Sequence, residues 1–349
     1  MPTLVKPSDP TLDTTRRRFL GLAARTLATG VLGSLGACSS SQPGPSTQGR
    51  KAALRLDWIV VGKHAPYFLG RERGYYESED ILLDIQGGKG SGNTAQLVAA
   101  GTHPFGYLDA GILIRSIQEG APLKSIMVIK QKTPFCIVSL KKSGIRSPQD
   151  LEGKSLAATT GVNDPILSLL PALMQKNNAD FSRVQVVQVA AQAKEGLVLT
   201  GRVDAMTGSI TAQPPAFEAQ GHDIDVLSYS DWGINPISNV MVTHNSILQD
   251  DPQLVRDFLR ATSKSIEASL KSPEEAVAAL KKAYPETDAQ VALLQLQRFF
   301  TLIQPENTPA VFGYHDRRTW EDLQALQIQY LGLKERWDVA RYFTNDFLP

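Results

Sequence analysis

From Leu54 onward, short apolar runs alternate with segments whose apolar residues recur every three to four positions. Runs of four to six apolar residues bounded by turn residues predict strands. The 3.6-residue recurrence predicts helices. The pattern predicts strands at 54–58, 81–85, 105–108 and 125–129, with helices between them at 65–76, 94–100 and 110–118. A second series follows, with strands at 135–140, 155–158, 184–189, 203–206 and 226–229. Its helices are a short one opened by Ser147, one opened by Asp164-Pro165, and one over 193–200. After Val240 the pattern is helical, over 252–270, 273–283, 288–302 and near 318–330. Strands alternating with helices of this length imply an α/β fold with largely parallel sheets.

One pattern occurs twice. Gln96–Gly101 leads into Phe105–Leu108, and Glu195–Gly201 leads into Val203–Gly208. Each is a helix, a glycine stop and a short strand, once in each half of the chain. This implies two lobes of similar construction and not a tandem array.

Two loops carry candidate binding chemistry. Gly87–Thr94 holds four glycines in the six residues 87–92, follows a strand and opens a helix. A helix start offers free N–H groups, and glycine lets a ligand approach the backbone. The loop fits neither the phosphate-loop pattern nor Gly-x-Gly-x-x-Gly. Thr159–Asp164 occupies the equivalent place in the second half. Trp58 and Trp232 sit where predicted strands become loops and are candidate stacking rings.

The N-terminus departs from this regime. Thr15-Arg16-Arg17-Arg18-Phe19-Leu20 matches a twin-arginine export signal, and Leu35-Gly36-Ala37-Cys38 matches a lipobox. The stretch between them is short and interrupted by Arg25, which argues against a permanent span. The expectation is a signal over 1–37, lipid on Cys38, and a flexible Ser/Gln/Pro/Gly tether over 38–52. The chain would then be held at a membrane in the periplasm or at the cell surface. Removing 1–37 leaves 31 basic and 33 acidic residues, with no basic stripe for nucleic acid. Cys136 remains alone in an apolar run, so it reads as core. None of the five histidines has metal-binding spacing, and no cofactor is expected.

Leu56-Asp57-Trp58, His64-Ala65-Pro66-Tyr67, Glu72–Tyr76, Gly88–Gly92, Phe105–Ala110, Gly120-Ala121-Pro122, Asp150–Lys154 and Gly201–Ala205 follow in order. In this order the chain resembles, from about 54 to 280, the periplasmic substrate-binding proteins of ABC importers. The likeness is to the group that binds sulfonates, nitrate, taurine and thiamine pyrimidine precursors. The resemblance implies a two-lobed type II periplasmic-binding-protein fold with two crossing segments. Lobe 1 would be 53–132 plus 238–349, and lobe 2 would be 133–237. It also implies a small-molecule ligand, an ABC permease as partner, and a monomer. A small heterocycle is the expected ligand, with a sulfonate or other small anion as the alternative. The candidate contacts are Trp58, His64, Gly90, Ser91, Asn93, Asp109, Thr160, Gly161, Asn163 and Trp232. Trp58 would stack the ring and Asp109 would accept its N–H groups. The chain also resembles the related fungal thiamine-pyrimidine synthases. That resemblance would require a lysine and a histidine where Leu108 and Ile112 stand, and cysteines within 231–240, which has none. An enzyme is therefore not expected.

Overall fold

The computed structural model describes residues 49–159, 164–303 and 311–349. The export signal, Cys38 and most of the tether lie outside the described residues, as do Thr160, Gly161 and Asn163. Strand β1 (Arg50–Arg55) starts inside the stretch expected to be tether. Its start is pinned, because Arg50 N–H donates to Asp80 O at 2.8 Å and its guanidinium pairs with the buried Asp257.

The alternation of β2 (Ile81–Gln86) buries Ile81, Leu83 and Ile85 and leaves Leu82 and Asp84 outside, as an edge strand requires. By contrast β3 (Phe105–Asp109) is buried along its whole length. Helix α1 (Ala65–Glu72) runs between β1 and β2, and α2 (Ser91–Ala99) between β2 and β3. After β3 come α3 (Ala110–Gln118) and β4 (Leu123–Val128). The chain then builds β5 (Phe135–Leu140), β6 (Ser155–Thr159), α4 (Pro165–Lys176), β7 (Gln185–Val189), α5 (Lys194–Leu199), β8 (Ala205–Ser209), α6 (Gln213–Ala219) and β9 (Ile224–Ser228). It returns through β10 (Asn239–His244) and continues in α7 (Asn245–Asp250), α8 (Pro252–Lys271), α9 (Pro273–Ala283), α10 (Ala289–Ile303) and α11 (Arg317–Tyr330).

Two five-stranded sheets result, in the orders β2-β1-β3-β10-β4 and β7-β6-β8-β5-β9. They share one plan. Each has a parallel trio, then an antiparallel strand supplied by the crossing chain, then an outer strand. The repeated helix–Gly–strand pattern falls on α2–β3 and α5–β8, which hold matching places. Leu54 pairs with Phe105 in one sheet and Leu156 with Ala205 in the other.

The sheets are mixed, which corrects the expectation of largely parallel sheets. β10 runs antiparallel to β3 and β4, and β5 antiparallel to β8 and β9. Both strands enter their sheet from the other lobe, so their direction is set by the crossing and not by a local helix connection. The segments 129–134 and 229–238 make the two crossings.

Helices cover both faces of the first sheet. On one face α1, α8, α9 and α10 pack over a core in which Phe105 and Phe258 stack with centroids 3.8 Å apart. On the other, α2, α3 and α11 bury Trp320 with Tyr342 of the C-terminal tail. Cys136 is fully buried in the second lobe, as its apolar run implies, and burial pushes its thiol up. Among the described residues no helix is long and apolar enough to cross a membrane.

Candidate functional site

The carboxyl ends of parallel strands from both sheets face one cleft, the usual ligand position in α/β folds. Asp57 and Trp58 follow β1, Asp109 ends β3, Thr159 ends β6 and Ser209 ends β8. All line a cavity of about 280 Å³. Lys130 and Pro134 of the first crossing, Phe135 of β5 and Asn239 of β10 close its floor and sides.

The glycine loop is stitched to the segment after β1. Gly88 N–H donates to Trp58 O at 2.7 Å, Gly90 N–H to Asp57 O at 2.9 Å, and the Thr94 hydroxyl to Leu56 O at 2.8 Å. This close approach needs Gly88, where an added Cβ would lie 1.9 Å from Leu56 O. Gly90 has φ +109°, which L side chains rarely adopt. Gly90, Ser91, Gly92 and Asn93 line the cavity at the start of α2, and no side chain caps that helix. Trp58 lines the same cavity, half-buried, with its ring free of any stacking partner among the described residues.

Other candidate residues stand elsewhere or act otherwise. His64 is fully buried and lies behind the wall, its Nε2 2.9 Å from Asp57 Oδ1. Burial lowers its pKa to about 4. It holds Asp57 and does not line the cavity. Trp232 is also absent from the lining. It packs on the second-lobe core, because its strand ends in a tight turn at Ser230–Trp232 that directs the ring onto that core. Asp109 does line the cavity, but its oxygens have partners. Oδ1 caps α3 by accepting from Gly111 N and Ile112 N at 2.9 and 3.2 Å, and Oδ2 accepts from Ser238 Oγ at 3.2 Å. Burial raises its pKa to about 6 against those hydrogen bonds. Three internal donors thus engage this carboxylate, which caps α3. Asp164 likewise caps α4, through Ile166 N and Leu167 N, and also accepts from Thr159 N at 3.1 Å.

The structure adds residues that the sequence pattern did not single out. Lys63 Nζ lies 2.7 Å from Asp57 Oδ2, and Asn239 Nδ2 donates to the same oxygen at 3.1 Å. Burial would raise the Asp57 pKa, but Lys63 and His64 outweigh it and hold the carboxyl well below its usual range. In the second lobe Lys194 is buried and donates to Thr207 O at 2.8 Å. Lys130 is fully buried, and its Nζ has no hydrogen-bond partner among the described residues. Burial and the charge of Lys63 push its pKa well below the ordinary lysine value. Lys130 follows the apolar run that ends at Ile129, and neither Lys63 nor Lys194 has apolar residues on both sides.

A Ser-His-Asn line also exists away from the cleft. Ser125 Oγ is 2.8 Å from His315 Nε2, and His315 Nδ1 is 2.9 Å from Asn345 Oδ1. Ser125 has no exposed surface, so the line ties the C-terminal tail to β4 and offers no nucleophile to solvent.

With this geometry in place, likeness to known proteins can be stated. The chain is 25% identical to a riboflavin-binding protein, RibY, of Chloroflexus aurantiacus, over 90% of this chain and 91% of that one. It is 24% identical to a 4-amino-5-hydroxymethyl-2-methylpyrimidine phosphate synthase of Legionella pneumophila, over 86% and 92%. It is also 24% identical to a formylaminopyrimidine-binding protein of Halalkalibacterium halodurans, over 83% and 88%. The fold matches the alkanesulfonate-binding protein SsuA of Xanthomonas axonopodis pv. citri with a TM-score of 0.68, at 13% identity over 86% and 99% of the two chains. It is a periplasmic-binding-protein fold. The model of the family described as NMT1/THI5 like matches residues 62–276, more than half of the chain, and the chain belongs to that family.

Proposed function

We propose that this chain is the substrate-binding lipoprotein of an ABC importer. It would be exported by the twin-arginine signal, tethered through Cys38 in the periplasm or at the cell surface, and would work as a monomer. It captures a small heteroaromatic molecule, such as a thiamine pyrimidine precursor, between its lobes and hands it to a permease in the inner membrane. The observation that carries this reading is the cleft. One cavity, near the lower end of the roughly 300–1,000 Å³ usual for ligand pockets, draws lining residues from both sheets. It offers the unstacked Trp58 ring, Phe135 and Pro134 as flat apolar walls, and an uncapped helix start beside them. Two relatives are named for binding riboflavin and formylaminopyrimidine, both flat nitrogen heterocycles.

A carrier is favoured over a catalyst, although a Legionella relative is named as a synthase. Leu108 and Ile112 stand where the synthases would need a lysine and a histidine. Both are buried, and neither lines the cavity. The mechanism is closure of two lobes about the crossings, with the closed form presented to the permease. A panel of aminopyrimidines and flavins tests it by thermal shift and small-angle scattering. A true ligand at a hundredfold excess over Kd adds about 2.7 kcal/mol of stability and leaves the molecule no larger. A panel that leaves Tm unmoved counts against a heteroaromatic ligand.

A further inference from the structure

We propose that Lys130 is the recognition group for an acidic substituent on the ligand, a carboxylate, phosphate or sulfonate carried on the ring. This rests on the carrier reading above and specifies what the cleft carries. The argument is one of partners. Three carboxylates line the cavity and each already has internal donors: Asp57 has Lys63, His64 and Asn239, Asp109 caps α3, and Asp164 caps α4. None is left to seek a cation or several N–H donors from a ligand. The lysines differ. Among the described residues, Lys130 is fully buried in the cavity wall and its Nζ has no acceptor, and Lys194 donates only to the neutral oxygens of Thr207.

Burying an amine without a hydrogen-bond acceptor disfavours its charged form, and a ligand that brings an anion restores that form and pairs with it on binding. The start of α2 works in the same direction. Its first N–H groups border the cavity, no side chain caps them, and a helix N-terminus favours negative charge. The ring would lie along Trp58, and its acidic group would reach Lys130 and the α2 start.

The test uses the mature chain and two matched pairs of probes. They are pyrimidine-5-carboxylate against pyrimidine-5-carboxamide, and 4-amino-5-hydroxymethyl-2-methylpyrimidine with and without its phosphate. Inorganic phosphate and sulfate serve as anions without a ring. Calorimetry on wild type should show the acidic member of at least one pair binding roughly ten- to a hundredfold tighter, the range of a charge-assisted hydrogen bond. In Lys130→Met that preference should vanish. The variant replaces a buried amine that has no hydrogen-bond acceptor among the described residues with an apolar side chain, so it should fold at least as stably, and its Tm checks this. Equal or tighter binding of the neutral members to wild type overturns the inference and leaves the carrier reading standing. So does a preference that survives in Lys130→Met. Binding of phosphate or sulfate alone, with no ring binding, keeps an anion site at Lys130 and overturns the heteroaromatic ligand. Binding of none of the probes overturns both.

Discussion

Asn239 Nδ2 donates to Asp57 Oδ2 at 3.1 Å, joining the end of the first strand to a residue 182 positions later, where the chain returns from the second lobe. The same oxygen accepts from Lys63, and the other faces His64. One carboxylate thus ties β1, the turn before α1 and β10 together at the wall of the cleft. The wall keeps its shape because each of those polar groups answers another.

Removing that carboxylate should be costly. Asp57→Ala leaves Lys63 buried and unpaired, and breaking such a pair costs about 3–5 kcal/mol. Urea unfolding of the mature chain should show a loss of that order. Adding Lys63→Met to the variant should recover part of it. A loss below about 1 kcal/mol would mean that the cluster is solvated and does not hold the wall.

Gln295 links the two lobes. Its Oε1 accepts from Gly62 N at 2.7 Å and its Nε2 donates to Ala212 O at 3.1 Å. Gly62 lies in the first lobe and Ala212 in the second, and Gln295 does not line the cavity. Gln295→Ala should weaken ligand binding through the closed form alone. Two hydrogen bonds at about 1 kcal/mol each predict a rise in Kd of roughly ten- to thirtyfold, carried mainly by faster release. Stopped-flow release of a bound pyrimidine from wild type and variant measures it. Unchanged release would show that the link plays no part in holding the lobes shut.

How much of this was legible beforehand depends on the kind of signal. The strand–helix alternation, the Asp164-Pro165 helix start and the bounds of β5 and α3 are local, and the structure has them where the pattern puts them. The sequence pattern does not show β10, because the chain after Val240 reads as helical. Only its antiparallel partners make it a strand. α6 was hidden by Pro214 and Pro215, which sit in its first turn and there do no harm. Trp58, Gly90, Ser91 and Asn93 line the cavity, since a strand end and a helix start position them directly. His64 lies behind the wall, Trp232 packs on the second-lobe core and Asp109 caps α3 from the lining, because side-chain direction and internal partners are set by tertiary packing. Lys63 and Lys130 stand out in no motif, since a single lysine reads as surface until its burial is known.

Stability should fall as the pH is lowered from about 6.5 towards 4. His315 is buried, stacked on Phe343 with centroids 5.0 Å apart, and burial lowers its pKa from 6.5 to about 4. The unfolded chain takes up this proton first, so within that window the unfolded state binds more protons and is favoured. His64 acts in the same direction. Asp109 opposes both below about 6, because its raised pKa makes the folded form take the proton first. His315→Gln should therefore flatten the pH dependence of the urea midpoint between pH 7 and 4.5. Parallel curves for wild type and variant would show that this ring titrates as it does in water.

The proposed export and the proposed tethering are tested separately. Arg16→Lys with Arg17→Lys should leave precursor in the cytoplasm, and Cys38→Ala should give an exported chain free of the membrane. Cell fractionation with labelled fatty acid reads both. Wild-type chain found soluble outside the cytoplasm, without lipid, would overturn the anchor and keep the export.

The most direct test of the binding reading is native mass spectrometry of the mature chain incubated with 4-amino-5-hydroxymethyl-2-methylpyrimidine phosphate. The account predicts one added molecule per chain in wild type, and its loss at the same concentration in Trp58→Ala, which takes the ring from the cleft. Loss of a stacking ring is worth on the order of 1 kcal/mol, so a probe held near its Kd will show the difference. No adduct on wild type, or equal occupancy of both proteins, would contradict a ring-binding cleft at Trp58.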